Sequence, residues 1–546
     1  MKNMTHTEFL NQIENKLEKN YNLSAKAYYK AAISGKKEDY LDSANKEFQF
    51  QKIFTDKKIF QEIKHYLKKS DDYNSQDKRT LKKLFLNFQT NQVSEDKIKK
   101  ITDLQNTIEQ TLNNFRAKVE NKKYSDNEIE NILRDSKDLA LLENIWKAHK
   151  KVGNLIQDDL LKLIKLRNDI AKEQGYSNFH EMSLCSSEIT TMQVDNIFNE
   201  LDNLTKKEYG ILKSEIDIKI AKNLNIDRKK LMPWHFQNRF FQEAPKLYDL
   251  DLDSIYESID IEETTKSFFM SHGLGINDIN SRSSLYEKEN KNQHAFMINL
   301  DRKKADVRVL CNLRPNAMWM NTNLHEFGHA IYEKHIDKSM NWTLIEPAHI
   351  FITEAIAMMY GRFASNPDWI KDNIVIDTNL VENIEETKEN DQMNNIKKYT
   401  SKIARLEQLV FSRWVQVMYN FEKQLYENPE QHLNALWWDM VEKYQLINRP
   451  KNWENADWAS KYHFVGAQCY YHNYLLGEIL ASQLYNFISK NITKSKSSFT
   501  NKKEVGEFLK NEFFKYGSLY QWNELIKKAT GEGLTAKYYA NDFINQ

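Results

Sequence analysis

The chain is short of the residues that staple or interrupt a fold. Its 546 residues include three cysteines, Cys185, Cys311 and Cys469. They are scattered and odd in number, which argues against a disulfide framework, and none has metal-ligand spacing. With 7 prolines and 14 glycines, long stretches run without a breaker. Leu, Lys, Glu, Gln and Asn fill these stretches, with apolar residues recurring every three to four positions, so the expected fold class is mainly α. No run of ~18 uncharged apolar residues occurs, and the first ten residues hold no apolar core of signal-peptide length. The expectation is a soluble, cytoplasmic protein without a membrane partner. Lys and Arg (78) almost balance Asp and Glu (77), which gives no electrostatic case for binding nucleic acid.

Residues ~5–140 read as consecutive amphipathic helices, followed by a helix pair through Trp146–His149 and Leu161–Asn168. Pro233 and Pro245 bracket the aromatic stretch Trp234–Phe241, which cannot be a regular helix throughout and is a candidate cleft lining. One strand pair stands out, His294–Leu300 and Val307–Leu313, joined by the charged turn Asp301–Asp306. Its exposed edge would suit pairing with an extended peptide.

The densest chemistry follows that hairpin. His325, Glu326 and His329 spell H-E-x-x-H. On a helix, residues four apart share a face, so two imidazoles can grip one zinc ion while the glutamate between them reaches a water at the metal. A hydrolytic zinc site needs a third protein ligand and an open position. His335, ten residues after His325, is one candidate, but with Tyr332 where a helix-breaking glycine would be needed it lies ~240° round the helix from His329. It reads as a surface histidine. Glu354 is the other candidate, 25 residues after His329 in the apolar stretch Ile350–Tyr360. An ionised carboxylate buried there would cost several kcal/mol without a partner, and a cation supplies one. The set His325, His329 and Glu354 describes a gluzincin site. Downstream, Lys461–Glu478 opens with Lys461 and His463 and carries Tyr471 and Tyr474 three apart on a helix. A phenol near zinc can donate to the oxyanion of a tetrahedral intermediate.

His294–Ala295, the H-E-x-x-H helix, Thr353–Ile356, and Lys461–His463 with its tyrosine pair occur in an order that resembles the angiotensin-converting enzyme family of peptidyl dipeptidases, bacterial cytoplasmic members above all. His325–Ala330 is also similar to the thimet oligopeptidase family. The resemblance implies an elongated, two-lobed helical gluzincin with a deep central channel and a small antiparallel hairpin near the zinc. Residues 1–546 would form one catalytic unit of two lobes, with the hairpin and zinc core at 290–365 and an oxyanion- and carboxylate-binding segment at 455–490. It further implies one Zn2+ per chain on His325, His329 and Glu354, with Glu326 as general base. Tyr474 and His463 would serve the oxyanion and the substrate carbonyls, and His294 and Ala295 would bind substrate. Lys461 and Tyr471 would hold a terminal carboxylate, so that dipeptides leave from the carboxyl ends of short peptides.

Several positions depart from that pattern. Asn473 stands where the chloride-binding arginine would be, so chloride is a doubtful cofactor. Met358 replaces the aspartate that supports a zinc histidine, which leaves that role to another group. Gln293 occupies the place of a cysteine whose disulfide partner would be Cys311. The glutamine of the carboxylate pocket has no secure counterpart, and Gln237 is the guess. The competing readings are an internally cleaving, thimet-like zinc oligopeptidase, and a helical binding protein that keeps zinc for structure.

Overall fold

The computed structural model describes residues 4–248, 250–374, 386–496 and 498–544. The fold is mainly helical, with two short antiparallel hairpins among the described residues. Two compact units are formed. The first comprises Met1–Gln92, Leu250–Thr400 and Leu476–Tyr539, and the second Val93–Asp249, Ser401–Leu475 and Ala540–Gln546. No described helix is long and apolar enough to cross a membrane.

In the first unit, the helix His6–Ser34 starts at a capping box in which Thr5 and Glu8 satisfy each other's backbone groups. It ends at Gly35, whose φ of 65° is open to glycine at little cost. That turn is crowded as well, because a Cβ on Gly35 would lie 2.0 Å from the carbonyl oxygen of Asn290. Helices Lys57–Leu67 and Ser75–Gln89 close a core of Phe9, Leu10, Ile13, Leu17, Ile63, Leu81 and Leu84 against it. The run of amphipathic helices is therefore present, although a small hairpin, Ala117–Val119 with Lys122–Tyr124, interrupts it in the second unit.

The expected hairpin is formed by Phe296–Asn299 and Val307–Leu310, with Met297 opposite Val309. Asp301 accepts from the backbone of Lys304, and Ala305 takes a left-handed conformation to close the turn. The turn is less solvated than its charges imply. Arg302 points inward, 4.6 Å from the Tyr21 ring and 4.5 Å from that of Trp342, and it pairs with Glu346 at 3.0 Å.

One expectation for the second unit is corrected. In place of a helix pair, Leu139–Glu173 is a single helix of 35 residues. The glycine between the two apolar stretches, Gly153, does not break it; a Cβ there would lie 2.0 Å from the carbonyl oxygen of Ala456, so its role is close approach. The stretch after Pro233 is irregular beyond a short 3-10 turn. Phe240 and Phe241 from that stretch help line a small recess with Trp146, Trp437, Lys150 and Asp457.

Candidate metal centre

The motif helix, Ala317–His335, begins where Asn316 accepts from the backbone N–H of Trp319. Met320, Leu324, Phe327 and Ile331 recur at helical spacing and are buried, which fixes its rotation. His325 and His329 then lie on one side, their rings 4.9 Å apart. The second helix, Ile350–Gly361, is buried at Phe351, Ile352, Ala355, Ile356 and Met359, as its apolar sequence implies. It runs close against the first because Gly328 has no side chain. A Cβ there would stand 2.8 Å from Ala357 Cα, well inside van der Waals contact.

This close approach brings Glu354 to the two histidines. One ligand atom from each of His325, His329 and Glu354 lies within 4.8 Å of the others. Glu354 Oε2 is 3.8 Å from His325 Nε2 and 3.9 Å from His329 Nε2. Nδ1 of His329, on the far side of its ring, is 2.7 Å from the Thr353 hydroxyl. Gly477, on the helix His472–Phe487, flanks the same corner; a Cβ there would meet Met358 Sδ at 3.1 Å and Glu354 Cβ at 3.2 Å.

Electrostatics tests whether a cation fits. Burial holds His325 down to about 4 and His329 well below the usual imidazole range, so both rings are neutral and offer lone pairs. Burial, with the nearby Glu478 carboxylate, pushes Glu354 up to about 7. Glu326 is pushed to about 8 by burial and by Glu354, against a backbone hydrogen bond from Met297 on the hairpin. Glu478 itself is paired with Arg362, which leaves that guanidinium engaged. Two neutral imidazoles and one carboxylate that burial disfavours as an anion are the donor set a divalent cation would stabilise, and two nitrogens with one oxygen suit zinc.

His335 takes no part in this cluster. The unbroken helix carries it away from His325 and His329, as the rotation argument requires, but it is not on the surface. It is half-buried, and burial aided by Lys334, Lys510 and Lys338 pushes it down to about 4. His294 is exposed just before the strand Phe296–Asn299, with its N–H donating to Asn292 Oδ1 at 2.9 Å, and Ala295 follows it. None of the three cysteines is in a disulfide. Cys469 is buried, and burial beside Glu422 pushes its thiol far above the usual range, so it stays protonated.

The second unit gathers the other predicted residues. Lys461 Nζ donates to Gln242 Oε1 at 2.5 Å and sits over the rings of Trp414, Phe240 and Tyr471 at 5.2, 5.3 and 5.6 Å. Trp414 Nε1 donates to the Tyr471 hydroxyl at 2.8 Å. Gln242, not Gln237, is the glutamine bonded to Lys461. Gln237 is occupied elsewhere, accepting from the Lys246 backbone at 2.8 Å. Burial, aided by Arg239, pushes Lys461 down to about 7, while Glu243 and Glu130 oppose the shift. His463 packs 4.6 Å from the Tyr471 ring, and burial holds it down to about 4. Tyr474 stacks edge-on against Tyr471 at 5.5 Å.

The chain matches two family models over different segments. Residues 285–546, which hold the hairpin, the two helices bearing His325, His329 and Glu354, and the segment Lys461–Tyr474, match the model of the carboxypeptidase Taq (M32) metallopeptidases. Residues 1–243 match the model of angiotensin-converting enzyme. The resemblance to converting enzymes thus holds for the amino-terminal part, while the segment carrying the motifs matches the carboxypeptidases. Among curated proteins, thermostable carboxypeptidase 1 of Pyrococcus furiosus is 26% identical over 243 residues, 40% of this chain and 45% of that protein. Carboxypeptidase 1 of Bacillus subtilis is 24% identical over 267 residues, 46% of this chain and 52% of that protein. The chain spans about half the length of the curated relatives it matches.

Proposed function

We propose that the protein is a zinc metallopeptidase that trims short peptides from their carboxyl ends. The observation that carries this reading is the convergence of His325, His329 and Glu354 beside the buried Glu326. Zinc held by those three residues would polarise the scissile carbonyl and acidify a water molecule. Glu326, one residue from a ligand on the same helix, would take the proton of the attacking water and deliver it to the leaving amine. The strand Phe296–Asn299, with Ala295 at its start, would pair with the backbone of an extended substrate, and His294 would contact a carbonyl near the scissile bond. Tyr474 would donate to the developing oxyanion. His463, neutral at physiological pH, would donate its one N–H to a substrate carbonyl.

Lys461, Tyr471 and Gln242 form a polar group framed by aromatic rings, which is the chemistry a terminal carboxylate needs. This supports an exopeptidase. Dipeptide release is the finer form of the proposal. A carboxypeptidase releasing other products is the second reading, favoured by the similarity to carboxypeptidases. The test is hydrolysis of a peptide set with free and amidated carboxyl ends, with and without a zinc chelator, read by product mass. Chelator-sensitive release of dipeptides from free ends supports the proposal. Cleavage of both sets at internal bonds would move it to the oligopeptidase class, and chelator-insensitive hydrolysis would remove it.

A further inference from the structure

We infer that Thr353 is a positioning residue that orients His329 toward the metal, so that one turn of one helix supplies both the third ligand and the support of the second. The inference rests on the metal reading proposed above. His329 has two ring nitrogens with different partners. Nε2 faces Glu354 Oε2 at 3.9 Å, and Nδ1 lies 2.7 Å from Thr353 Oγ1. A lone pair at Nε2 is what a metal requires, so the ring proton sits on Nδ1 and is donated to the threonine oxygen. That bond fixes both the tautomer and the ring plane.

The helix makes Thr353 a stiff support. It adjoins Glu354 in sequence, is 6% exposed, and its branched Cβ restricts χ1 on a helix. Its oxygen is therefore fixed to the same backbone that carries the Glu354 carboxylate. Any shift of the helix would move ligand and support together. Met358, one turn beyond Glu354, offers only a thioether, a weak acceptor. The hydroxyl at 353 thus does here what a carboxylate one turn after the glutamate could otherwise do.

The test is zinc affinity, measured on metal-free full-length protein by competition with a chromophoric chelator. Thr353→Val keeps the shape and removes the acceptor, and Thr353→Ser keeps the acceptor. The expected result is a loss of about 10–100-fold in zinc affinity for Thr353→Val and a loss of less than about threefold for Thr353→Ser. The cobalt-substituted valine variant should show shifted visible bands, a readout that general destabilisation would leave unmoved. Thr353→Ala, which removes the hydroxyl without adding bulk, replaces the valine variant if that one fails to fold. Wild-type affinity in the variant lacking the hydroxyl, or equal losses in the serine and valine variants, would overturn the inference. Absence of zinc uptake by the unaltered protein would overturn the metal reading itself.

Discussion

Gly328→Ala is the most demanding perturbation, because two opposing effects of one methyl group can be weighed in advance. Alanine is the better helix former by ~0.8–1.0 kcal/mol, so an isolated helix would gain stability. In this fold the new Cβ would stand 2.8 Å from Ala357 Cα and 3.3 Å from both Ala357 N and Ile356 O. Carbon pairs settle at roughly 3.5–4.0 Å, and backbone atoms cannot swing aside as a flexible side chain would. The motif helix and the helix Ile350–Gly361 must therefore part by roughly 0.7–1.2 Å where Gly328 meets Ala357, next to His329 and three residues from Glu354. Overpacking of this kind costs ~1–3 kcal/mol, which cancels or outweighs the propensity gain. Metal–ligand distances tolerate only about ±0.2 Å, so zinc binding should suffer far more than folding. The expected outcome is metal-free protein of nearly unchanged or modestly reduced stability in urea, with zinc affinity down by an order of magnitude or more. The pair of measurements is denaturant unfolding of the metal-free form and chelator competition for zinc. A variant more stable by about 1 kcal/mol that binds zinc as the wild type does would refute the close-packing argument.

Three further outcomes follow from the site. Glu326→Gln should retain zinc and lose hydrolysis by about 10²–10⁴-fold, measured as kcat on a quenched peptide; near wild-type turnover would exclude Glu326 as the base. Tyr474→Phe should lower kcat by about 10²–10³-fold with little change in KM, and a change confined to KM would contradict an oxyanion role. Burial and Arg239 hold Lys461 down to about 7, below its unfolded value of ~10.4, so its ammonium is lost as pH rises through 7. KM for free-carboxyl peptides should therefore rise between pH 6 and pH 8.5 while KM for amides stays flat. Lys461→Ala should abolish that difference, and parallel pH profiles in the unaltered protein would remove Lys461 as the carboxylate partner. The same shift means the unfolded chain binds the extra proton between ~7 and ~10.4, so this group favours the folded state increasingly across that window.

Features set by local pattern were readable from the sequence, and features set by contact between distant segments were not. The motif helix and the hairpin show in periodicity and alternation, and Glu354 shows because a carboxylate in so apolar a helix needs a reason. Thr353 carries no such mark, since a threonine on a buried helix has many uses and only the placement of His329 Nδ1 gives it one. Gln242 lies in an irregular loop where no periodicity indicates which glutamine turns toward Lys461, and Gln237 is the nearer neighbour of the aromatic cluster. Arg302 reads as part of a charged turn, but two aromatic rings and Glu346 draw it inward. The hairpin at Ala117–Tyr124 has three lysines in its six strand residues, so it lacks the apolar alternation that would reveal it. His335 lies outside the cluster of His325, His329 and Glu354, as helix rotation requires, yet it is half-buried and feels charges as remote in sequence as Asp278 and Lys510.

Whether His325, His329 and Glu354 together hold one zinc ion is decided by the metal content of the purified, exhaustively dialysed protein and of Glu354→Ala, determined by elemental mass spectrometry. The expected result is about one zinc per chain in the former and little in the latter. Full occupancy in Glu354→Ala, or none in the unaltered protein, would contradict it.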